Sequence, residues 1–215
     1  MHIWCWDCCK KKIDSKNIVI DSGHVAIQLD SNFYDFYPQK NVEQYKLSEI
    51  GVVRSRKENQ VALFYLNSFV TNQHYEIKEA IDKNLLLINK HNLFESSNCD
   101  MVLPIAYDFE FDINCEIQEQ MGKYLMELSS RADLSLIYHL TKNNCMTFIN
   151  KVLLKFKLIE YPIQYRLYPE SYRHNLLKLI NNGQFCGRLK QILKKSVGIN
   201  KQRKEFCWIK LVKDN

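Results

Sequence analysis

The amino-acid sequence predicts an α+β fold in which an antiparallel sheet packs against a helix that begins with a cysteine. Residues 24–37 hold two stretches of alternating apolar residues around a turn, which is typical of a β-hairpin. Residues 145–156 hold a cysteine after two asparagines, followed by apolar residues at helical spacing. The 215 residues suffice for one substantial core, and a content of 46% hydrophobic and 25% charged residues is ordinary for a globular protein.

The chain begins with a segment that holds three of its eight cysteines. We expect an N-terminal strand or an ordered tail with free thiols, because no signal peptide precedes the cysteines and their spacing is irregular. Two alternatives remain for this segment. His2, Cys5, Cys8 and Cys9 include a Cys-x-x-Cys spacing that can bind zinc. Cys8 and Cys9 also precede the lysines at 10–12, as lipid-modified cysteines beside a basic cluster do.

The predicted hairpin is the first motif with chemical content. Apolar residues at 25, 27 and 29 alternate along one strand, turn residues follow at 30–32, and residues 33–37 form the returning strand. We expect His24 and Asp35 to face each other across these strands, where a carboxylate holds the imidazole tautomer and stabilises the imidazolium. Alternatively, His24 is a hydrogen-bonded core or surface residue, and Asp35 satisfies turn amides.

The segment between the two motifs contains further predicted elements. Residues 47–59 are polar, with a loop at 54–59. Asp108, Glu110 and Asp112 alternate along a strand-like stretch, and we expect a solvated strand edge because calcium-loop spacing is absent. The other elements are a strand or buried helix start at 61–70, a helix at 75–90, a strand at 101–107 that Pro104 pushes to an edge, and a helix at 113–130.

The second motif is the helix that begins at Cys145. Asn143 or Asn144 can cap its first turn, where unsatisfied N–H groups and the positive end of the helix dipole favour an anion. A cysteine in that position has the environment that populates a nucleophilic thiolate. The alternative is that Cys145 is a small buried hydrophobic residue. His139, also upstream of this helix, rivals His24 as the base.

The C-terminal part differs in composition. An aromatic, proline-bracketed stretch at 161–169 predicts an extended arm or loop, and a helix at 171–181 follows. The run that begins with Arg188 and ends with Lys204 holds seven basic residues and no acidic one, before a closing strand at 206–212. We expect the basic run to be a solvated face or a flexible link. As a docking surface it would suit an acidic protein or an anionic membrane surface, and no specific nucleic-acid motif accompanies it.

Three stretches of the chain resemble one known family. These are Gly-His24-Val-Ala-Ile, then Tyr-Asp35-Phe-Tyr-Pro, then Asn-Asn-Cys145-Met-Thr-Phe-Ile-Asn-Lys-Val-Leu. They resemble the circularly permuted NlpC-type papain-like superfamily, which includes lecithin:retinol acyltransferase-like enzymes and PPPDE peptidases. In that family a histidine on an early strand precedes a cysteine at the start of a later helix. The resemblance covers residues 18–40 and 120–160.

The resemblance implies a permuted papain-like fold, with a catalytic core at 1–160 and a C-terminal extension at 161–215 that packs on the core. It implies Cys145 as the nucleophile, His24 as the base and Asp35 as the third polar residue. The acyltransferase branch often has a second histidine at that third position. Asp35 therefore favours the peptidase and amidase relatives.

The predicted function is a cysteine-dependent hydrolase that cleaves a peptide, isopeptide or other amide bond and needs neither cofactor nor metal. The alternatives are a thiol acyltransferase or lipase that acts at a membrane, and a catalytically inactive protein-binding module. No apolar run approaches the roughly 20 residues of a membrane span, and no signal peptide is evident. We therefore expect a cytoplasmic protein, or one exported without a signal peptide, as a toxin or an injected effector would be.

Overall fold

In the computed structural model, the described residues form one large antiparallel sheet, a separate two-stranded ribbon and three helices. These residues are 1–6, 9–12, 18–21, 23–38, 48–57, 101–102, 106–131, 136–139, 141–166, 169–200 and 205–210. The strands are β1 (His2–Trp6), β2 (Cys9–Lys12), β3 (Ile18–Asp21), β4 (His24–Leu29), β5 (Asn32–Pro38), β6 (Ser48–Lys57), β7 (Met101–Val102), β8 (Ala106–Asp112), β9 (Leu136–His139), β10 (Arg188–Asn200) and β11 (Glu205–Lys210). The α+β class with an antiparallel sheet agrees with the sequence-based prediction.

The large sheet joins strands from distant parts of the chain. Its order is β11, β10, β8, β1, β4, β5, β6, β9, and the short β7 also pairs with β10. The pairings described are antiparallel throughout. The neighbouring central strands β1 and β8 are far apart in sequence, so the sheet forms only when the start and the middle of the chain meet.

Three helices lie along this sheet: α1 (Cys115–Ser130), α2 (Cys145–Lys155) and α3 (Pro169–Asn181). Helix α1 contacts β6, α2 contacts β4 and β5, and α3 contacts β1. The predicted helices at 113–130, 145–156 and 171–181 are thus confirmed to within a few residues. Among the described residues, no helix combines the length and the apolar content that a membrane crossing requires.

The main core lies between the sheet and α2. Because side chains alternate along a strand, Ile3, Val25 and Ile27 point to the same side and are fully buried. Each buried aliphatic side chain of this size stabilises the fold by about 1.5–3 kcal/mol, which anchors the cysteine helix firmly on the sheet. The residues that α2 contributes to this core are Met146, Phe148, Ile149, Val152 and Leu153.

The predicted hairpin is confirmed. Strands β4 and β5 pair with Ile27 opposite Tyr34 and Leu29 opposite Asn32, and the two-residue turn between them starts at Asp30, whose φ is 51°. By contrast, the predicted loop at 54–59 is wrong for its described part, because residues 54–57 belong to the ten-residue strand β6. The predictions at 61–70 and 75–90 lie outside the described residues.

The predicted solvated edge at Asp108 is wrong. Strand β8 lies between β1 and β10, and the Asp108 side chain is fully buried, 2.8 Å from Nδ1 of His2. His2 lies on β1, which pairs with β8 although the two strands are far apart in sequence, so no local sequence pattern indicates this partner. Only the other two acidic residues of this stretch, Glu110 and Asp112, retain exposed side-chain surface.

The predicted flexible link in the basic run is also wrong for residues 188–200. They form β10, which pairs with β8 and with β11. Arg188 lies 3.1 Å from Asp112, and Lys190 lies 3.6 Å from Glu110, so acidic partners on β8 neutralise two of the basic charges. The proposed extension at 161–215 therefore contributes strands to the same sheet as the segment before it.

Candidate active site

Cys145 is the first residue of α2 and is buried, with 5% of its surface exposed. Asn144 is the N-cap residue, and its Oδ1 accepts a hydrogen bond from the backbone N–H of Thr147 at 3.1 Å. The sequence left open whether Asn143 or Asn144 caps this helix, and the structure assigns the cap to Asn144. Cys145 thus lies at the positive end of the helix dipole, where a thiolate is favoured.

The turn before this helix is held by a network of hydrogen bonds. His139 and Asn143 exchange backbone hydrogen bonds of 2.9 and 3.0 Å. The Thr147 hydroxyl bonds with the Tyr165 hydroxyl and with Asn144 Oδ1. Because both sides of the helix start are fixed, the backbone N–H of Cys145 has a defined direction.

His24 and Asp35 form a buried pair beside this helix start. The register of β4 and β5 places Gln28 opposite Phe33, so the even-numbered residues of β4 share a face with the odd-numbered residues of β5. His24 Nε2 lies 3.0 Å from Asp35 Oδ2, and the two residues are 6% and 5% exposed. The predicted facing of these two side chains across adjacent strands is confirmed.

Arg54 binds the other side of the Asp35 carboxylate. It stands directly opposite Asp35 in the pairing of β5 with β6. Its Nε donates to Oδ1 at 3.0 Å and its Nη2 donates to Oδ2 at 2.8 Å, a bidentate arrangement that fixes the carboxylate plane. The guanidinium also lies over the Tyr37 ring, 4.2 Å from its centroid. Sequence reasoning missed Arg54, because its pairing with Asp35 depends on the register of β6.

The electrostatics of the pair follow from these contacts. Burial opposes ionisation of Asp35, but the Arg54 charge and the hydrogen bonds from His24 and Arg54 hold the pKa of Asp35 well below its usual range. Burial also opposes the charged form of His24. The charge and hydrogen bond of Cys145, together with those of Asp35, outweigh burial and raise the pKa of His24 to about 9. Contact with these two groups therefore favours the charged form of His24.

His24 connects Asp35 with Cys145. Its hydrogen bond with Cys145 contributes to the raised pKa described above. Because Nε2 is bonded to Asp35, Nδ1 is the ring nitrogen that remains for the sulfur. The His24 ring is also packed between aromatic neighbours, with centroid separations of 6.0 Å to Trp6 and 5.9 Å to Tyr37. This packing restricts the rotation of the imidazole.

Tyr138, on β9, is a further residue of the site that sequence reasoning missed. Its ring lies 5.4 Å from that of Phe36 and 6.4 Å from that of Tyr37, between centroids. Burial raises the pKa of Tyr138, and the charges of Cys145 and Tyr37 raise it further. The hydroxyl therefore stays protonated and is able to donate a hydrogen bond.

The rival base His139 has another role. Its Nδ1 accepts hydrogen bonds from the backbone N–H groups of Thr141 and Lys142, both at 3.2 Å, so it stabilises the turn before α2.

The zinc alternative near the N-terminus is not supported by the two ligands whose side chains are described. Cys5 lies in the hydrophobic core, whereas His2 bonds to Asp108 on the other face of β1. In the described parts of the chain, no three His, Cys, Asp or Glu side chains converge as metal ligands.

Comparisons of the chain with models of protein families, with curated proteins and with solved structures find no match. Inferences about activity therefore rest on the side chains of this chain. Their arrangement is a thiol at a helix start, an imidazole in contact with it and a carboxylate bonded to the imidazole. Such a set can form a covalent bond to a carbonyl carbon and can move the proton that the reaction requires.

Proposed function

We propose that the protein is a cysteine-dependent hydrolase of amide bonds, of the peptidase or amidase type. Cys145 is the nucleophile, His24 is the general base and acid, and Asp35 orients His24. The observation that carries the proposal is the contact of one buried imidazole with both other groups, the Asp35 carboxylate at 3.0 Å and the Cys145 thiol. The permuted papain-like fold is part of the same proposal, supported by the antiparallel sheet and by the chain order of the three residues.

The first half of the reaction forms a thioester. The Cys145 thiolate attacks the amide carbon, a C–S bond forms, and the carbonyl electron pair moves to oxygen. The backbone N–H of Cys145, at the start of α2, would stabilise this oxyanion, and the protonated Tyr138 hydroxyl is a candidate second donor. The His24 imidazolium then gives its proton to the amide nitrogen while the C–N bond breaks and the amine leaves.

The second half of the reaction releases the acid. Water attacks the thioester carbon while neutral His24 accepts one of its protons. The C–S bond then breaks, and Cys145 returns as a thiolate beside the imidazolium. The balance is amide plus water to amine plus carboxylic acid, and Asp35 stays ionised throughout because Arg54 and His24 stabilise its charge.

The proposal is tested by alkylating the protein with iodoacetamide over a range of pH and quantifying each cysteine by peptide mass spectrometry. Cys115 and Cys186 are exposed, whereas Cys145 is buried, so accessibility alone predicts that Cys145 reacts last. A thiolate at Cys145 reverses that order. We expect Cys145 to react about tenfold faster than the exposed cysteines below neutral pH.

His24→Ala is the decisive variant, and His174→Ala, which removes an exposed histidine of α3, is its matched control. We expect the rapid labelling of Cys145 to disappear in His24→Ala and to persist in His174→Ala. Labelling of Cys145 that is slower than that of the exposed cysteines, and unchanged by His24→Ala, would overturn the proposal and leave Cys145 as a core residue.

A further inference from the structure

We propose that Arg54 is a positioning residue of the active site, which acts through Asp35 to keep the Cys145–His24 pair charged. This inference rests on the proposed function of that pair. Arg54 stands opposite Asp35 across two paired strands and binds both carboxylate oxygens, and His24 Nε2 binds Oδ2. The sequence-based triad is thus extended to four residues.

The first argument is geometric. A carboxylate held by His24 alone can rotate about its side-chain bonds, but two parallel hydrogen bonds from a guanidinium fix its plane. Oδ2 then has one position, 2.8 Å from Arg54 and 3.0 Å from His24. Arg54 is itself held by Tyr37, over whose ring the guanidinium lies at 4.2 Å. Tyr37 also contacts the His24 ring, so one aromatic side chain aligns both partners of Asp35.

The second argument is the balance of charge. A Cys145 thiolate, a His24 imidazolium and an Asp35 carboxylate carry a net charge of minus one in a buried place. Burying an uncompensated charge is unfavourable, and one of the two anions would take up a proton. Arg54 brings the sum to zero. It therefore allows Asp35 and Cys145 to be ionised together.

Among the described residues, three tyrosines are titratable neighbours of this set. They are Tyr37 on β5, Tyr138 on β9 and Tyr172 on α3. Burial raises the pKa of Tyr138 and of Tyr172, with the Cys145 charge acting in the same direction, so both stay neutral. Among the described residues, Arg54 is thus the cation that the structure places against Asp35 in addition to His24, and its side chain is 20% exposed.

The test compares the rate of Cys145 alkylation over about pH 5–8 in Arg54→Gln, Arg54→Lys and the wild type. For Arg54→Gln we expect the alkylation rate of Cys145 to fall about tenfold below neutral pH. We also expect the acid limb of the pH–rate profile, where the rate rises with pH, to move to higher pH, because an opposite charge at short range shifts ionisation by about one pH unit or more. Arg54→Lys keeps the charge but loses the bidentate geometry, so its acid limb stays near that of the wild type.

A second pair of variants shows whether Arg54 acts through Asp35. In an Asp35→Asn background the residue at 35 carries no charge to balance, so adding Arg54→Gln should change the rate by less than about twofold. This pair also keeps the test open if Arg54→Gln alone does not fold. Arg188→Gln is the matched control, because it breaks an exposed Arg–Asp pair between β10 and β8.

The outcomes separate this inference from the proposed function. Rapid labelling in the wild type that depends on His24 but not on Arg54 would overturn the positioning role and leave the hydrolase proposal standing. An equal loss on Arg54→Gln in both backgrounds would show that Arg54 does not act through Asp35. Slow labelling of Cys145 in the wild type would remove the hydrolase proposal, and the positioning role with it.

Discussion

Asn150 connects the cysteine helix to the segment that follows it, and its replacement is the sharpest test of the fold around the site. Its side chain is buried on α2. Nδ2 donates to the Ile163 carbonyl at 2.9 Å, and Oδ1 accepts from the Ile163 N–H at 3.1 Å and from the Tyr172 hydroxyl at 3.3 Å. One amide thus satisfies three buried polar groups.

The perturbation is Asn150→Leu, which preserves the approximate volume but removes the partners of all three groups. Each buried group left without a partner costs about 1–3 kcal/mol. Leucine is the better helix former, which offsets about 0.5 kcal/mol. The Tyr172 hydroxyl can turn toward another partner, so its loss is left out of the sum. The two Ile163 backbone groups are each assigned the full cost of a buried polar group without a partner. The expected decrease in the free energy of unfolding is about 2–5 kcal/mol.

The assay is urea unfolding followed by tryptophan fluorescence, with the free energy of unfolding extrapolated to water. Asn175→Leu is the matched control, because Asn175 also bonds to a backbone carbonyl of the same segment, that of Gln164, at 2.8 Å but in an exposed place. We expect the control to lose no more than about 1 kcal/mol. Equal losses in the two variants would refute the reasoning that burial makes the Asn150 hydrogen bonds important.

Two further predictions concern Gly51 and His24. A Cβ at Gly51 would collide with the buried Phe36 ring and lie 3.0 Å from Cβ of Tyr138. Gly51→Ala should therefore lower the free energy of unfolding, measured in urea, by about 1–3 kcal/mol. An unchanged free energy of unfolding would show that the Phe36 ring moves aside freely. Because the pKa of His24 is raised from 6.5 to about 9, its contribution is fully present below pH 6.5 and is lost as the pH rises through 9. The stability difference between wild type and His24→Ala should therefore shrink by about 3 kcal/mol over that range, and a constant difference would contradict the raised pKa.

Local patterns of the sequence were sufficient to predict the elements that carry the three proposed catalytic residues, Cys145, His24 and Asp35. The β4–β5 hairpin follows from apolar alternation and turn residues, and α2 follows from helical spacing and an asparagine cap. Arg54 and Tyr138 were missed because their places depend on the registers of β6 with β5 and with β9. Registers between strands distant in sequence are not encoded in a local pattern.

The same limit explains the errors at charged strands. Two polar stretches, residues 54–57 and the described part of the basic run, form strands and not loops or links. Three of their basic residues, Arg54, Arg188 and Lys190, have acidic partners across the sheet that compensate their charges. Asp108 is the clearest case, since a buried carboxylate needs a partner that the sequence places 106 residues away, at His2. Polarity alone therefore does not separate a loop from a strand with charged pairs.

The contrast between the two His–Asp pairs on this sheet shows what makes one of them a candidate catalytic pair. His2 and Asp108 are 2.8 Å apart, closer than His24 and Asp35 at 3.0 Å, so the hydrogen bond alone does not distinguish them. The His2 side chain is 25% exposed, whereas that of His24 is 7% exposed, and the His24 ring also bonds to a thiol at a helix start. A histidine held by a carboxylate is thus a common way to satisfy buried charge. The nucleophile at the start of α2 and the cation of Arg54 give the His24 pair its proposed chemistry.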